Sequence, residues 1–178
     1  MQRHVGFTLL ELAVAVVLLA VVAAMAAPAF TGLIERSRAQ AAFHGLTASL
    51  AGARLAALKA RHPVTICPTT DGQRCRRDLV WDDGWMIYLD ADRRDHPGSA
   101  GAVIQHVGST GAGISVRSSR GRHRVRFQPD GWASGANLSL QLCSRKGRRL
   151  LGAVVVNNAG RPRSERLDAA AGSCPYAP

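Results

Sequence analysis

From Leu12 to Phe30 the chain runs for 19 residues without a charged or strongly polar side chain. As a helix rising 1.5 Å per residue, that run is about 28 Å long, close to the ~30 Å hydrocarbon thickness of a bilayer. Phe7 to Leu10 extend it, and Glu11 alone interrupts it. Arg3 and His4 precede it, while Glu35, Arg36 and Arg38 follow. A freely soluble cytosolic enzyme has no use for such a segment. A cleaved secretory signal is one reading, and Ala24-Met25-Ala26 offers a small-x-small site for it. Two features argue against that reading: a single Arg precedes the run, and a carboxylate lies inside it. A carboxylate near the bilayer centre costs about 2.5–3.5 kcal/mol on insertion scales, and a simple signal has no reason to carry it.

The hexapeptide Gly6-Phe7-Thr8-Leu9-Leu10-Glu11 resembles the class III signal of type IV pilins and type II secretion pseudopilins. The resemblance implies cleavage after Gly6 by a prepilin peptidase and N-methylation of Phe7, which becomes the first mature residue. It also implies that Glu11 pairs with the terminal amine of a neighbouring subunit and sets the axial register of a filament. The physics agrees, since a buried carboxylate is tolerable when it meets an opposite charge. The competing expectation is that Glu11 only snorkels to the interface. Pro28 falls at the family's proline position within the apolar helix.

The helical pattern continues beyond the apolar run. Phe43, Leu46, Leu50, Ala53 and Ala57 recur at three- and four-residue steps and form a narrow apolar stripe. Lys59 and Arg61 suit a helix C-terminus, and His62-Pro63 predicts the stop. One helix from about Phe7 to Arg61, roughly 80 Å long, is expected, with a kink or melted turn at Pro28 and Gly32. After Pro63 short β-rich runs take over: Val64–Cys67, Trp85–Leu89, Ala102–Val107, Ile114–Arg117, Arg122–Phe127, Leu138–Cys143 and Leu150–Asn157. In Arg122–Phe127, Val125 and Phe127 alternate with Arg122, Arg124 and Arg126. Gly108–Gly113 looks superficially like a phosphate loop but lacks the Gly-Lys-Ser/Thr ending, and a mobile loop is expected there.

The second half resembles the GspH/FimT branch of pilin-like proteins. The matching positions are Val64–Cys67, Asp71-Gly72, Cys75, Trp81, Gly84-Trp85, Asp90, Gly131-Trp132, the Leu138–Cys143 strand and Gly160-Arg161-Pro162-Arg163. The fold class implied is α+β and type IV pilin-like: a long N-terminal helix, transmembrane then amphipathic, packed on a C-terminal antiparallel β-sheet head. The expected organisation is a leader peptide at 1–6, a transmembrane half-helix at 7–30, an amphipathic half-helix at 31–62 and a β-rich head at 63–178. The chain would then be a single-pass inner-membrane protein with its head in the periplasm, open to incorporation in a surface pilus.

Four cysteines in an exported head point to disulfides, with three connectivities open. Cys67–Cys75 is preferred for closing a short loop and Cys143–Cys174 for pinning the tail. Zinc is disfavoured, because there is no C-x2-C pair and no His cluster. Asp90, Asp92 and Asp95 begin like a calcium loop, but Arg93, Arg94 and the missing mid-loop Gly make a solvated strand end the better reading. No metal, cofactor or catalytic constellation stands out, and an enzyme is not expected.

Lys and Arg number 23 against 12 Asp and Glu. The excess is local: from Arg117 to Arg166 the segment carries twelve Lys or Arg against Asp130 and Glu165. Such density is an electrostatic footprint for nucleic acid, although a generally basic face in a filament is the plainer alternative. Gly160 can take a positive φ, and Pro162 holds Arg161 extended, so Arg161 and Arg163 should point the same way. That segment resembles the G-R-x-R motif associated with DNA binding in FimT-type competence pilins. Arg148 and Arg149 are the next candidates, and the Arg122, Arg124, Arg126 face is third. The expected function is a minor pilin that binds duplex DNA non-specifically and supports uptake. The alternative is a structural minor pilin or pseudopilin that primes pilus or secretion-pseudopilus assembly. Other pilins, the prepilin peptidase and the inner membrane are partners in either case.

Overall fold

The structure, a computed structural model, describes residues 8–111, 113–135, 137–145, 149–167 and 174. The chain divides into two units, Met1–Ser37 and Arg38–Pro178. A single helix, α1 (Leu9–Ala60), begins in the first and ends in the second, and it stays helical through Pro28 and Gly32. The expected melted turn is therefore not seen. Thr8 caps the start: the Glu11 amide donates to its hydroxyl at 3.3 Å. Arg61 ends the helix in the left-handed region at φ 54°, one residue before His62-Pro63.

In the first unit, Leu9–Ala26 is apolar enough to cross a membrane, and Leu10, Leu12, Leu19 and Val22 are all exposed. In the second unit the stripe is buried as its spacing predicts. Phe43 is 3 % exposed, and Leu46, Leu50, Ala53 and Ala57 are fully covered. Five strands form as expected: β1 (Val64–Pro68), β2 (Trp85–Leu89), β4 (Ile114–Ser118), β6 (Leu138–Ser144) and β7 (Arg149–Val156). Between these lie β3 (Val103–Val107) and β5 (Val125–Phe127), and β8 (Pro162–Arg166) follows β7. Ala102 belongs to a 3-10 turn before β3, and Arg122 to a turn whose amide bonds the Ser119 carbonyl, so both strands start later than their patterns suggest.

The eight strands make two antiparallel four-stranded sheets, ordered β3-β2-β1-β5 and β4-β6-β7-β8. One continuous core joins α1 to both, through Val64, Ile66 and Ile87 of the first sheet and Leu140, Val154 and Val156 of the second. β1 and β2 are buried on both faces. Their second face, with Cys67, Met86 and Tyr88, lies under the loop closed by the Cys67–Cys75 disulfide. Asp71 organises that loop by accepting the Gln73 and Arg74 amides at 2.8 and 3.0 Å. Those backbone bonds hold its carboxyl below the usual value of 3.8. A second disulfide joins Cys143 at the end of β6 to Cys174, with α-carbons 6.0 Å apart.

Removing the second bridge by Cys174→Ser frees a loop of 31 residues' separation. The expected cost is about 3–4 kcal/mol in the chain-entropy model, seen as a lower Tm under non-reducing conditions. A pH dependence follows from His123. Burial, then the nearby Arg124 and Arg77 charges, push its imidazole below the ordinary value of 6.5, and Nε2 has no partner among the described residues. The unfolded chain therefore takes up the proton first, and stability falls as pH drops from about 6.5 towards the lowered value. Urea midpoints measured between pH 7 and 5 should show this decline, and His123→Leu should flatten it.

Candidate functional site

The turn joining β7 to β8 locks against a second glycine turn, at Gly131 between β5 and β6. Gly160 donates its amide to the Asn157 carbonyl at 2.9 Å and sits at φ 70°. A β-carbon there would run into the Gly131 carbonyl oxygen, so the position requires glycine for space as well as for conformation. Gly131 closes its own turn by donating to the Gln128 carbonyl, and the Gln128 amide returns to the Trp132 carbonyl at 2.7 Å. Ala133 donates to the Asn158 carbonyl at 2.9 Å. From α1, Arg54 Nε donates to the Gly131 carbonyl at 3.0 Å. The Arg161 amide is held by the Asn157 side chain at 3.3 Å.

Alternation then sorts β8. Pro162, Ser164 and Arg166 lie opposite Val156, Val154 and Gly152, the side of β7 that faces the core. Ser164 meets the Thr47 hydroxyl at 2.8 Å, and the Arg166 guanidinium lies 5.6 Å over the Phe43 ring with Nη2 at 3.2 Å from His44 Nε2. Gly152 makes room for this stack, because a β-carbon there would come within 2.9 Å of Phe43. Arg163 and Glu165 fall on the outer face and pair with each other at 3.0 Å, with side chains 70 % and 53 % exposed. Arg161, immediately before the strand, is exposed. The Gly160–Arg163 stretch is thus rigid, and β8 is an edge strand that alternation of apolar residues could not reveal.

The remaining sequence candidates separate in space. Arg126 is half-buried and turned inward: its Nε bonds Asp90 Oδ2 at 2.7 Å, where Thr65 also donates at 2.6 Å, and the Asp90 side chain is 1 % exposed. Tyr88, beside them, has its hydroxyl pushed up to about 12 by burial and by the Asp90 charge. Arg124 pairs with Asp95, whose carboxyl it holds below the usual range, and Arg77 pairs with Asp95 too. Asp92 pairs with Arg94 at 3.2 Å, so each member of the acidic cluster has an arginine beside it. Arg122 lies near the β7–β8 turn. Its Nη1 is 3.9 Å from the position of a β-carbon on Gly135, whose amide bonds Asn158 Oδ1 at 3.2 Å. Arg149 is exposed at the start of β7, the opposite end of the hairpin from Arg161. Arg148 lies outside the described residues.

One site escaped the sequence reading. Asp82, buried between the sheets' connecting loops, pairs with both Arg117 and Arg145 and accepts the Val116 amide at 2.6 Å. Its own carbonyl accepts Ser109 Oγ and the Thr110 amide, each at 3.0 Å, which tethers the loop expected to be mobile. No local signal marks Asp82, since its partners lie about 30 to 60 residues away in sequence. Among the described residues no group of three His, Cys, Asp or Glu is placed to hold a metal. Gly6 and Phe7 also lie outside the described residues. Glu11 is in the first turn of α1.

Comparison with known proteins agrees with this architecture. Residues 42–160 match the family described as type II transport protein GspH, and residues 1–27 match the prokaryotic N-terminal methylation motif. A crystal structure of the type IV minor pilin FimU of Pseudomonas aeruginosa superposes with a TM-score of 0.61 at 21 % identity, covering 80 % of this chain and 98 % of that one. A second crystal form of FimU gives 0.56 at 22 %, covering 76 % and 98 %. At that identity the likeness is one of fold. No curated protein matches the sequence significantly. The apolar N-terminal helix and the methylation motif fit a membrane-anchored pilin with a soluble head, processed by a prepilin peptidase and associating with other pilins. With the GspH model matching two thirds of its length, this chain belongs to the GspH family of type IV pilin-like minor pilins and pseudopilins.

Proposed function

We propose that this protein is a minor type IV pilin that binds DNA non-specifically through Arg161 and Arg163 and supports DNA uptake in transformation, its head lying in the periplasm or in a surface pilus. The observation that carries the reading is the outward Gly160–Arg163 stretch, held by the locked glycine turn, in a basic segment where Arg117, Arg124, Arg126 and Arg145 are taken up by aspartates. Arg117, Arg124, Arg126 and Arg145 have buried or half-buried aspartate partners, and Arg166 is stacked on Phe43. Among the described residues, Arg122, Arg149 and Arg161 have no carboxylate partner. Two arginines at alternate positions of an extended chain lie about 6–7 Å apart, a spacing that suits neighbouring phosphates on one strand. Phosphate contacts carry little sequence information and release counterions, so binding should be indifferent to sequence and steeply salt-dependent.

An assembly role remains the second reading, and a specific observation favours it. Leu55 and Leu58 of α1 are 52 % and 43 % exposed in the head, as a helix packed against neighbouring subunits would require. The two roles are compatible in one protein.

Titration of the detergent-solubilised chain with duplex DNA at two salt concentrations tests the first reading. The double substitution Arg161→Gln with Arg163→Gln should weaken binding to all sequences alike and flatten the salt slope by about two units. Unchanged affinity would leave the assembly role alone. Glu165→Gln acts in the other direction. It removes an exposed carboxylate from Arg163, a pair worth at most about 1 kcal/mol, so affinity should rise by up to about fivefold. Gly160→Ala, with Arg161 and Arg163 intact, should lower both Tm and DNA affinity, because it breaks the locked turn that presents them.

A further inference from the structure

Trp132 is the one tryptophan of the three that the core does not bury. Trp81 and Trp85 are buried in the core, whereas Trp132 is 52 % exposed. Its backbone is held firmly: the amide donates to Asp130 Oδ1 at 2.9 Å and the carbonyl accepts the Gln128 amide at 2.7 Å. The indole is therefore presented to solvent from a hydrogen-bonded turn. Its neighbours are the same elements that hold the arginine motif. On one side Gly131 lies under Gly160, the residue before Arg161. On the other, Ala133 bonds Asn158, and the Arg122 guanidinium reaches the position beside Gly135. The exposed indole thus stands on the turn that packs against Gly160, the residue before the exposed Arg161, and three residues before Gly135, which Arg122 approaches.

We infer that Trp132 is a stacking platform for an unpaired base, with Arg122 and Arg161 holding the flanking phosphates. The site then favours single-stranded or frayed DNA over blunt duplex. Stacking on an aromatic side chain is tolerant of sequence because every base has a π-face, and it needs a ring that is solvent-accessible beside cationic groups. A duplex keeps its bases paired and offers only phosphates to the same arginines. An apolar protein partner would be poorly matched to a ring on turns that also carry Arg122 and Arg161, which have no carboxylate partner among the described residues. The inference rests on the DNA-binding reading and adds to it the strand state of the ligand.

The test uses the full chain in detergent micelles with two probes, a 15-nucleotide oligo-dT and a blunt duplex of mixed sequence. Oligo-dT should quench the indole emission of Trp132, and Trp132→Ala should abolish the quench, since the other two indoles are buried. Trp132→Ala should also weaken oligo-dT binding by about fivefold or more while leaving duplex affinity within about twofold, and Trp132→Phe should keep part of the single-strand affinity. Equal affinity of wild type and Trp132→Ala for oligo-dT, or an equal loss for both probes, would overturn the platform. Arg161→Gln with Arg163→Gln separates the two ideas. If it weakens both probes while Trp132→Ala weakens neither, phosphate binding stands and the stacking site falls. Failure of the wild-type chain to bind either probe would sink both.

Discussion

The apolar stripe of α1 is the element on which the head depends. A four-stranded sheet cannot cover its own inner face, and both sheets lay theirs in the cluster that contains the α1 stripe. Phe43, Leu46, Leu50, Ala53 and Ala57 lie in a single core with residues of both sheets. Burying the three larger side chains contributes roughly 1.5–3 kcal/mol each. The alanines contribute differently, by keeping the helix surface low where strands approach. β1 and β2, already packed on α1, are covered again by the Cys67–Cys75 loop, which explains why every residue but Leu89 is buried.

Buried carboxylates then decide what becomes of the arginine excess. Asp82 and Asp90 are almost completely removed from water, and a carboxylate in that position must be met by charge and hydrogen bonds. Asp82 takes Arg117 and Arg145, and Asp90 takes Arg126. Removing one partner of such a pair typically costs about 3–5 kcal/mol, because the other charge is stranded. These arginines therefore belong to the architecture of the head. Arg161, Arg163 and Arg122 gather near the β7–β8 turn instead, outside those pairs, with Trp132 on the adjoining turn.

That turn links the helix to the proposed binding surface. Arg54 of α1 fixes the Gly131 carbonyl, the carbonyl leaves no room for a side chain at Gly160, and Gly160 delivers the chain into Arg161. The first step is a side-chain hydrogen bond and the second a close backbone contact, so the presentation of the motif is coupled to the packing of the helix.

The spine, the stripe and most strands were legible in the sequence because each is a local periodicity. Nineteen apolar residues, a 3.6-residue stripe and alternating β-branched runs state their environment without reference to distant partners. The tertiary structure alone decided the rest. It divided the strands into two sheets. It made Pro162–Arg166 a strand, although Arg-Ser-Glu-Arg has no apolar alternation, because the free edge of β7 supplies its hydrogen bonds. It chose one of three disulfide pairings by bringing Cys143 and Cys174 together. It also separated arginines that compensate buried aspartates from those that face water, and left one tryptophan of three exposed. All of these depend on contacts between residues far apart in the chain, where a side chain's neighbours, and not its own type, determine whether its charge or its ring is available.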